Sequence, residues 1–476
     1  MRFSKAFNLN KSQSELDFVD VFLNTDAPLF IDPYAVSKRI DGWSVECHNK
    51  IVRFFQGLVD AIRANDENAA RSMLTHLNES NDTRLGLSLG MPQGRGVSGK
   101  QASDLYDRLC DSSAVRTGFL RDLSDCELIV PGISRDKISD ITTNIIKYNL
   151  IQYTLHQCFL HNITIDGNIS SGFYWDEDAQ EWTNDFFPLP SYNDNRIVLV
   201  PKVIARYDFS YDHQEYYNHY VLNFLQAEHL SANTSLVRTL KKGTRKVYKK
   251  DLKEEYPCSK EFLYKFSREH PEVLAEYKNS RRDKPDITNK EIIEDLDEHV
   301  VARTLSRDLS GISIGSDDAA RYHSLMVGVL EFIFYPHLIY PRKEQEINQG
   351  RKRIDIVFTN AAQDGIFKRL HATHRISCPF IAVECKNYSN DPANPELDQL
   401  IGRFSPNMGS VGLLVCRQFQ DKDLFIQRCR DTAQQQLGII LPLDDEDINF
   451  LMSKKADRDE KALDKFLDAR LRQVLV

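Results

Sequence analysis

The stretch Phe380 to Asn387, FIAVECKN, decides how the C-terminal part of this chain is read. Its apolar residues and two charges alternate as a strand requires, because successive side chains of a strand point to opposite faces. Ile381, Val383 and Cys385 share one face, and Ala382, Glu384 and Lys386 share the other. Glu384 and Lys386 therefore stand about 6.5–7 Å apart on one face. Upstream, Gly350 to Phe358 (GRKRIDIVF) reads the same way: Ile354, Ile356 and Phe358 on one side, Asp355 on the other. If the two strands pair, Asp355 lies beside Glu384, and two carboxylates converge next to an ammonium.

The elements around these strands alternate helix and strand. The spacing predicts a helix over 317–335, strands at 354–358, 380–385 and 411–416, helices near 396–404 and 420–437, and a closing strand Ile439 to Leu443. Short apolar strands alternating with amphipathic helices predict an α/β domain with a mixed sheet flanked by helices. At 476 residues the chain is too long for one core. We expect a C-terminal domain over 301–476 and a larger, mostly helical (α+β) region over 1–300, with a subdomain break near 165–235.

The N-terminal region is helical in spacing from about 45 to 80 and from 101 to 165. A β-like section with Trp and Tyr follows, in which NRIVLVPKVI (Asn195 to Ile204) reads as a strand. The stretch Ala27 to Pro33 is also strand-like. Residues 238–253 hold eight Lys and Arg against one acid, Asp251, and include Tyr248; a solvated helix is expected, with contact to a phosphate backbone as the alternative. Ser280 to Asp286 (SRRDKPD) reads as an exposed connection. No apolar run approaches the roughly 18–20 residues that span a bilayer, and the N-terminus has no h-region, so a cytoplasmic location is expected. The nine Cys are scattered, with no CxxC pair, which argues against a zinc ribbon or a disulfide framework. A formal charge of −8 gives no global pull toward nucleic acid, although a local basic surface would suffice.

The pairing of carboxylates with a lysine has a chemical reason. A phosphodiester repels hydroxide, so its hydrolysis calls for a metal that binds phosphate oxygen and acidifies water. Hard carboxylates suit Mg²⁺ or Mn²⁺, and a nearby lysine can orient water and stabilise the added charge. The pattern D-x(28)-E-x-K across two strands resembles the PD-(D/E)XK superfamily of restriction-endonuclease-like folds, and especially its Mrr-type branch, over roughly residues 317–455. The resemblance implies a DNA endonuclease of prokaryotic restriction or anti-phage defence, with Asp355 and Glu384 as metal ligands, Lys386 as catalytic lysine and Mg²⁺ (or Mn²⁺) as cofactor. It also implies a polar role for Gln399 and a homodimer, or a partner protein held by the N-terminal region. Ile354 stands where the named motif has Pro. The three residues do not read the sugar, so RNA stays open beside DNA.

Glu331 interrupts the apolar run Leu325 to Tyr335, and an unpaired carboxylate buried there would cost several kcal/mol. A metal or another cation is expected beside it; Glu346 is the competing acid. Arg351, Lys352 and Arg353 are placed to hold nucleic-acid phosphates. Three other signals weigh less. Gly94 to Lys100 (GRGVSGK) matches a phosphate-binding loop but continues with Gln101 where Ser or Thr should hold Mg²⁺; a nucleotide-sensing NTPase is the rival it would support. His371 and His374 form HxxH without a neighbouring Glu. Asp136, Ser139, Asp140 and Asn144 share a helix spacing that suits capping or recognition. The stretches FIDP and GISRDKISD resemble the leading halves of uncharacterised prokaryotic proteins with exchangeable C-terminal effectors. A catalytically inactive nucleic-acid-binding or scaffold protein is the remaining alternative.

Overall fold

Five apolar segments of the C-terminal part assemble into one mixed sheet. In the computed structural model these are β1 (Leu338–Arg342), β2 (Ile356–Asn360), β3 (Phe380–Lys386), β4 (Val411–Cys416) and β5 (Ile439–Leu443), hydrogen-bonded in that order. The structure describes the chain apart from residues 78–79, 87–98, 121, 166, 242, 283, 344–355 and 389, and apart from the side chains of 99–101. The pairs β1–β2 and β2–β3 are antiparallel, and β3–β4 and β4–β5 are parallel. Parallel neighbours need crossover connections. Helices Asn394–Ile401 and Lys422–Gln434 supply them. Nearly every residue of β3, β4 and β5 is buried, so both faces of the sheet are covered. This explains the near-continuous apolar runs of these strands.

Two apolar cores result. One gathers buried residues from Phe3 to Ile287, together with Tyr335, Ile339, Tyr340 and Ala361. The other gathers Val301 to Val474, with Leu160 reaching into it. The N-terminal part is mostly helical, with only short two-stranded ribbons. Asn195 to Ile204 does not form the long strand its composition suggests; only Asn195–Arg196 pairs as one. Its buried backbone finds partners elsewhere: Val198 N donates to Asp82 O, Leu199 N to Thr154 Oγ1, and Val200 O accepts from Val19 N. The Ala27 to Pro33 stretch is likewise reduced to Phe30–Ile31, paired with Ala205–Arg206. Among the described residues no helix is long and apolar enough to cross a membrane.

Buried charge joins the two parts. Helix Ala319–Phe334 carries Glu331, which is fully buried and forms an ion pair with the equally buried Lys202 at 3.1 Å. Lys202 Nζ also donates to Asn289 Oδ1 at 3.1 Å and lies 4.0 Å from the Tyr335 ring centroid. Close by, Asp17 accepts from Tyr153 Oη at 2.7 Å and from Tyr340 N at 3.1 Å. Burial pushes the Glu331 carboxyl up and the Lys202 ammonium down, while their mutual attraction opposes both shifts. The segment Ser280 to Asp286 is also less free than expected. Asp286 is largely enclosed by Lys38, Arg39 and Arg206, and these cations hold its carboxyl down at about 2 against the effect of burial.

Breaking one partner of a buried pair leaves the other uncompensated, at a cost of about 3–5 kcal/mol, whereas replacing both by apolar groups is often near neutral. Lys202→Met alone is therefore expected to destabilise the fold by about that amount, and Lys202→Met/Glu331→Leu by much less than the two single losses combined. Urea unfolding of the four proteins of this cycle measures it. Additive losses would contradict the pairing.

Candidate active site

The middle strand β3 brings its two charges to its C-terminal end. Glu384 is 1% exposed and Lys386 9% exposed, and Lys386 Nζ sits 2.7 Å from Glu384 Oε1. Two ionisable groups on a covered sheet face must find counter-charges, because an isolated buried charge costs many kcal/mol. Here each is the other's partner. Lys386 Nζ also donates to Gln399 Oε1 at 2.9 Å.

Gln399 reaches the lysine because its helix, Asn394–Ile401, lies close over the sheet. Gly412 of β4, paired in register with Ala382, permits this approach: a Cβ there would stand 2.9 Å from Leu400 Cδ2 and 3.0 Å from Ala382 O. The Glu396 side chain accepts from Ala393 N at 2.7 Å and so fixes the start of that helix. Three of the residues singled out in the sequence, Glu384, Lys386 and Gln399, thus come together.

Past the strand end, Asn387 Nδ2 donates to Ser313 O and Gly315 O at 2.9 and 2.7 Å. Arg417 Nη1 donates to Asn387 Oδ1 at 3.0 Å and to Ile312 O at 2.9 Å, and Arg417 Nε donates to Asp445 Oδ2 at 2.7 Å. These bonds pin the end of β3 against the loop that precedes helix Ala319–Phe334. From that helix, His323 Nε2 lies 3.0 Å from Cys385 O, between the two charged residues. Tyr388 stands beside Lys386, with Nζ 5.6 Å from its ring centroid. The sequence reading missed His323, Asn387, Tyr388 and Arg417. Asn387 and Tyr388 adjoin the motif and could have been found by extending it; His323 and Arg417 arrive from distant segments and leave no local signal.

The structure places Glu331 with Lys202 instead of with Glu384 and Lys386. The cation expected beside it is an ammonium from the N-terminal part, and Glu331 is an ion-pair partner there, not a metal ligand. Asp355, Glu346, Arg351, Lys352 and Arg353 lie outside the described residues, as does most of Gly94 to Lys100. Ile356, which follows Asp355 in the chain, pairs with Val383, which precedes Glu384. Of the HxxH pair, His371 Nδ1 accepts from Cys378 N at 3.3 Å, a structural bond. Ser139 likewise serves the fold, accepting from Ile31 N at 2.9 Å.

Among the described residues no three His, Cys, Asp or Glu side chains gather as a metal site. Those residues supply one hard carboxylate, Glu384, already facing an ammonium. A divalent ion fits this donor set once a second carboxylate joins, for a reason of charge. Glu384 and Lys386 alone sum to zero charge, so a further carboxylate is what would offset part of a divalent charge there.

A family model described as a domain of unknown function (DUF8370) matches residues 8–212, within the mostly helical N-terminal part. No curated protein matches the chain. No solved structure matches it.

Removing the Gln399 acceptor takes a charge-assisted hydrogen bond from a largely buried ammonium. Gln399→Leu is expected to lower stability by about 1–2 kcal/mol, read by urea unfolding. An unchanged midpoint would show that the contact carries no weight.

Proposed function

We propose that the chain is a metal-dependent endonuclease hydrolysing phosphodiester bonds of DNA, with its chemistry at the C-terminal end of β3. The observation that carries this reading is the placement of Glu384, Lys386 and Gln399 on one another at a covered strand end. That strand end adjoins the strand which Asp355 precedes.

In this reading Glu384 and Asp355 would hold a divalent cation. When bound there, it would supply Lewis acidity toward a phosphate oxygen and a water of lowered pKa. Lys386 does the positioning: its ammonium, held by Gln399 and Glu384, would orient an attacking water or a non-bridging phosphate oxygen. As negative charge grows on the phosphoryl oxygens, that fixed ammonium is worth more than a solvated one, because the site is shielded from water. Gln399 fixes the direction of the ammonium, accepting from it at 2.9 Å while Glu384 holds it at 2.7 Å. Arg417 and Asn387 hold the strand end in place while charge moves.

Supercoiled plasmid incubated with the full-length protein and Mg²⁺ or Mn²⁺ is expected to be nicked or linearised, and EDTA to abolish this. Asp355→Ala, Glu384→Ala and Lys386→Ala are each expected to lose at least about a hundredfold in rate, the usual scale for groups acting in the transition state. Gln399→Ala should lose less. Wild-type rates in Lys386→Ala, or cleavage that persists in EDTA, would refute the assignment.

A further inference from the structure

The basic segment 238–253 is not the solvated helix its charges suggest. Arg238–Thr239 and Arg245–Lys246 pair as an antiparallel two-stranded ribbon, with Arg245 opposite Thr239 and Lys246 opposite Arg238. Gly243, at a φ of +80°, closes the turn by donating to Leu240 O at 2.8 Å, and Leu240 N donates to Thr244 O at 2.9 Å. Only then does a helix begin, Lys249–Glu255. Tyr248 stands between ribbon and helix, with Arg238 and Lys246 over its ring at 5.6 and 5.1 Å.

The ribbon exposes its charges. Arg238, Lys241, Arg245, Lys246, Lys250 and Lys253 are all exposed. Arg238 meets Asp251 at 2.7 Å, and Arg245 donates to Asn233 Oδ1 at 3.0 Å. Among the described residues, Lys241, Arg245, Lys246, Lys250 and Lys253 have no carboxylate within ion-pairing distance. Eight cations and one acid give this segment +7 in a chain of −8, which leaves −15 for the other 460 residues. So local a reversal of sign repels itself, and a polyanion relieves that repulsion.

We propose that this ribbon is a docking element for the backbone of duplex DNA. A two-stranded ribbon is narrow enough to enter a major groove of about 12 Å, and its Lys and Arg ends reach phosphates on either side. An acidic protein is the weaker fit. A stable protein interface buries about 1,200–2,000 Å² around apolar or aromatic anchors, whereas Leu240, 40% exposed, is the one large apolar side chain exposed on the ribbon among the described residues. The proposal deepens the nuclease reading and rests on it for the identity of the duplex. It adds a phosphate contact in the N-terminal part, remote in sequence from the catalytic strands.

The test is binding of a fluorescent DNA duplex by the full-length protein in EDTA, across about 50–200 mM KCl. Neutralising Lys241→Gln/Arg245→Gln/Lys246→Gln should weaken binding about tenfold or more and flatten the slope of log affinity against log salt by about 2–3. The charge-keeping Lys241→Arg/Lys246→Arg should bind as the wild type does. Equal affinity and slope in the neutralised variant would overturn the proposal. So would equal losses in the charge-keeping one, or ribbon-dependent binding of polyglutamate without binding of the duplex. Plasmid cleavage separates the two readings. An active nuclease whose duplex binding ignores the ribbon sinks this proposal alone; ribbon-dependent binding with no cleavage under any metal sinks the catalytic one alone.

Discussion

A carboxylate and an ammonium on the middle strand of a sheet covered on both faces are the constraint around which the C-terminal part is organised. Apolar neighbours make β3 secure: each fully buried Ile, Val or Leu contributes roughly 1.5–3 kcal/mol relative to exposure. The same burial makes Glu384 and Lys386 costly anywhere except beside one another. Evolution of a stable scaffold alone would favour apolar residues at both positions. Their presence at the strand end, with Gln399 brought in by a helix that needs Gly412 beneath it, is what function would explain and packing alone does not. Sites commonly depart in this way from the rules that fix the rest of a fold.

The rest of the molecule supports that strand end from two directions. Within the C-terminal part, Asn387 and Arg417 tie β3 to the loop before helix Ala319–Phe334 and to Asp445. From the other side, the same helix is joined to the N-terminal part through Glu331 and Lys202, and the edge strand β1 through Tyr340 and Asp17. The helix that offers His323 to the strand end and the helix that offers Glu331 to Lys202 are one and the same. On it, His323 and Glu331 stand about two turns apart.

The order of strands and helices was legible because burial on both faces writes continuous apolar runs, and short loops leave few ways to connect them. Ile439 to Leu443 and Val411 to Cys416 were placed to the residue, and the face shared by Glu384 and Lys386 follows from a period of two. What escaped was set by contacts distant in sequence. Glu331 looked like a ligand because its helical neighbours are apolar, and nothing near it in the chain announces Lys202. Asn195 to Ile204 looked like a strand because it is apolar, but its backbone bonds go to Val19, Asp82 and Thr154 rather than to a parallel neighbour. In 238–253 the charges were plain, yet the glycine that turns the chain back on itself was outweighed by helix-forming lysines.

The central claim is that Glu384 belongs to a divalent-cation site and is not merely the lysine's structural partner. Titration of full-length wild type and Glu384→Gln with Mn²⁺, followed by the electron paramagnetic resonance of the free ion, tests it without depending on substrate or trigger. The account predicts saturable binding by the wild type that Glu384→Gln loses. Equal binding by both proteins, or none by the wild type at millimolar Mn²⁺, would contradict it.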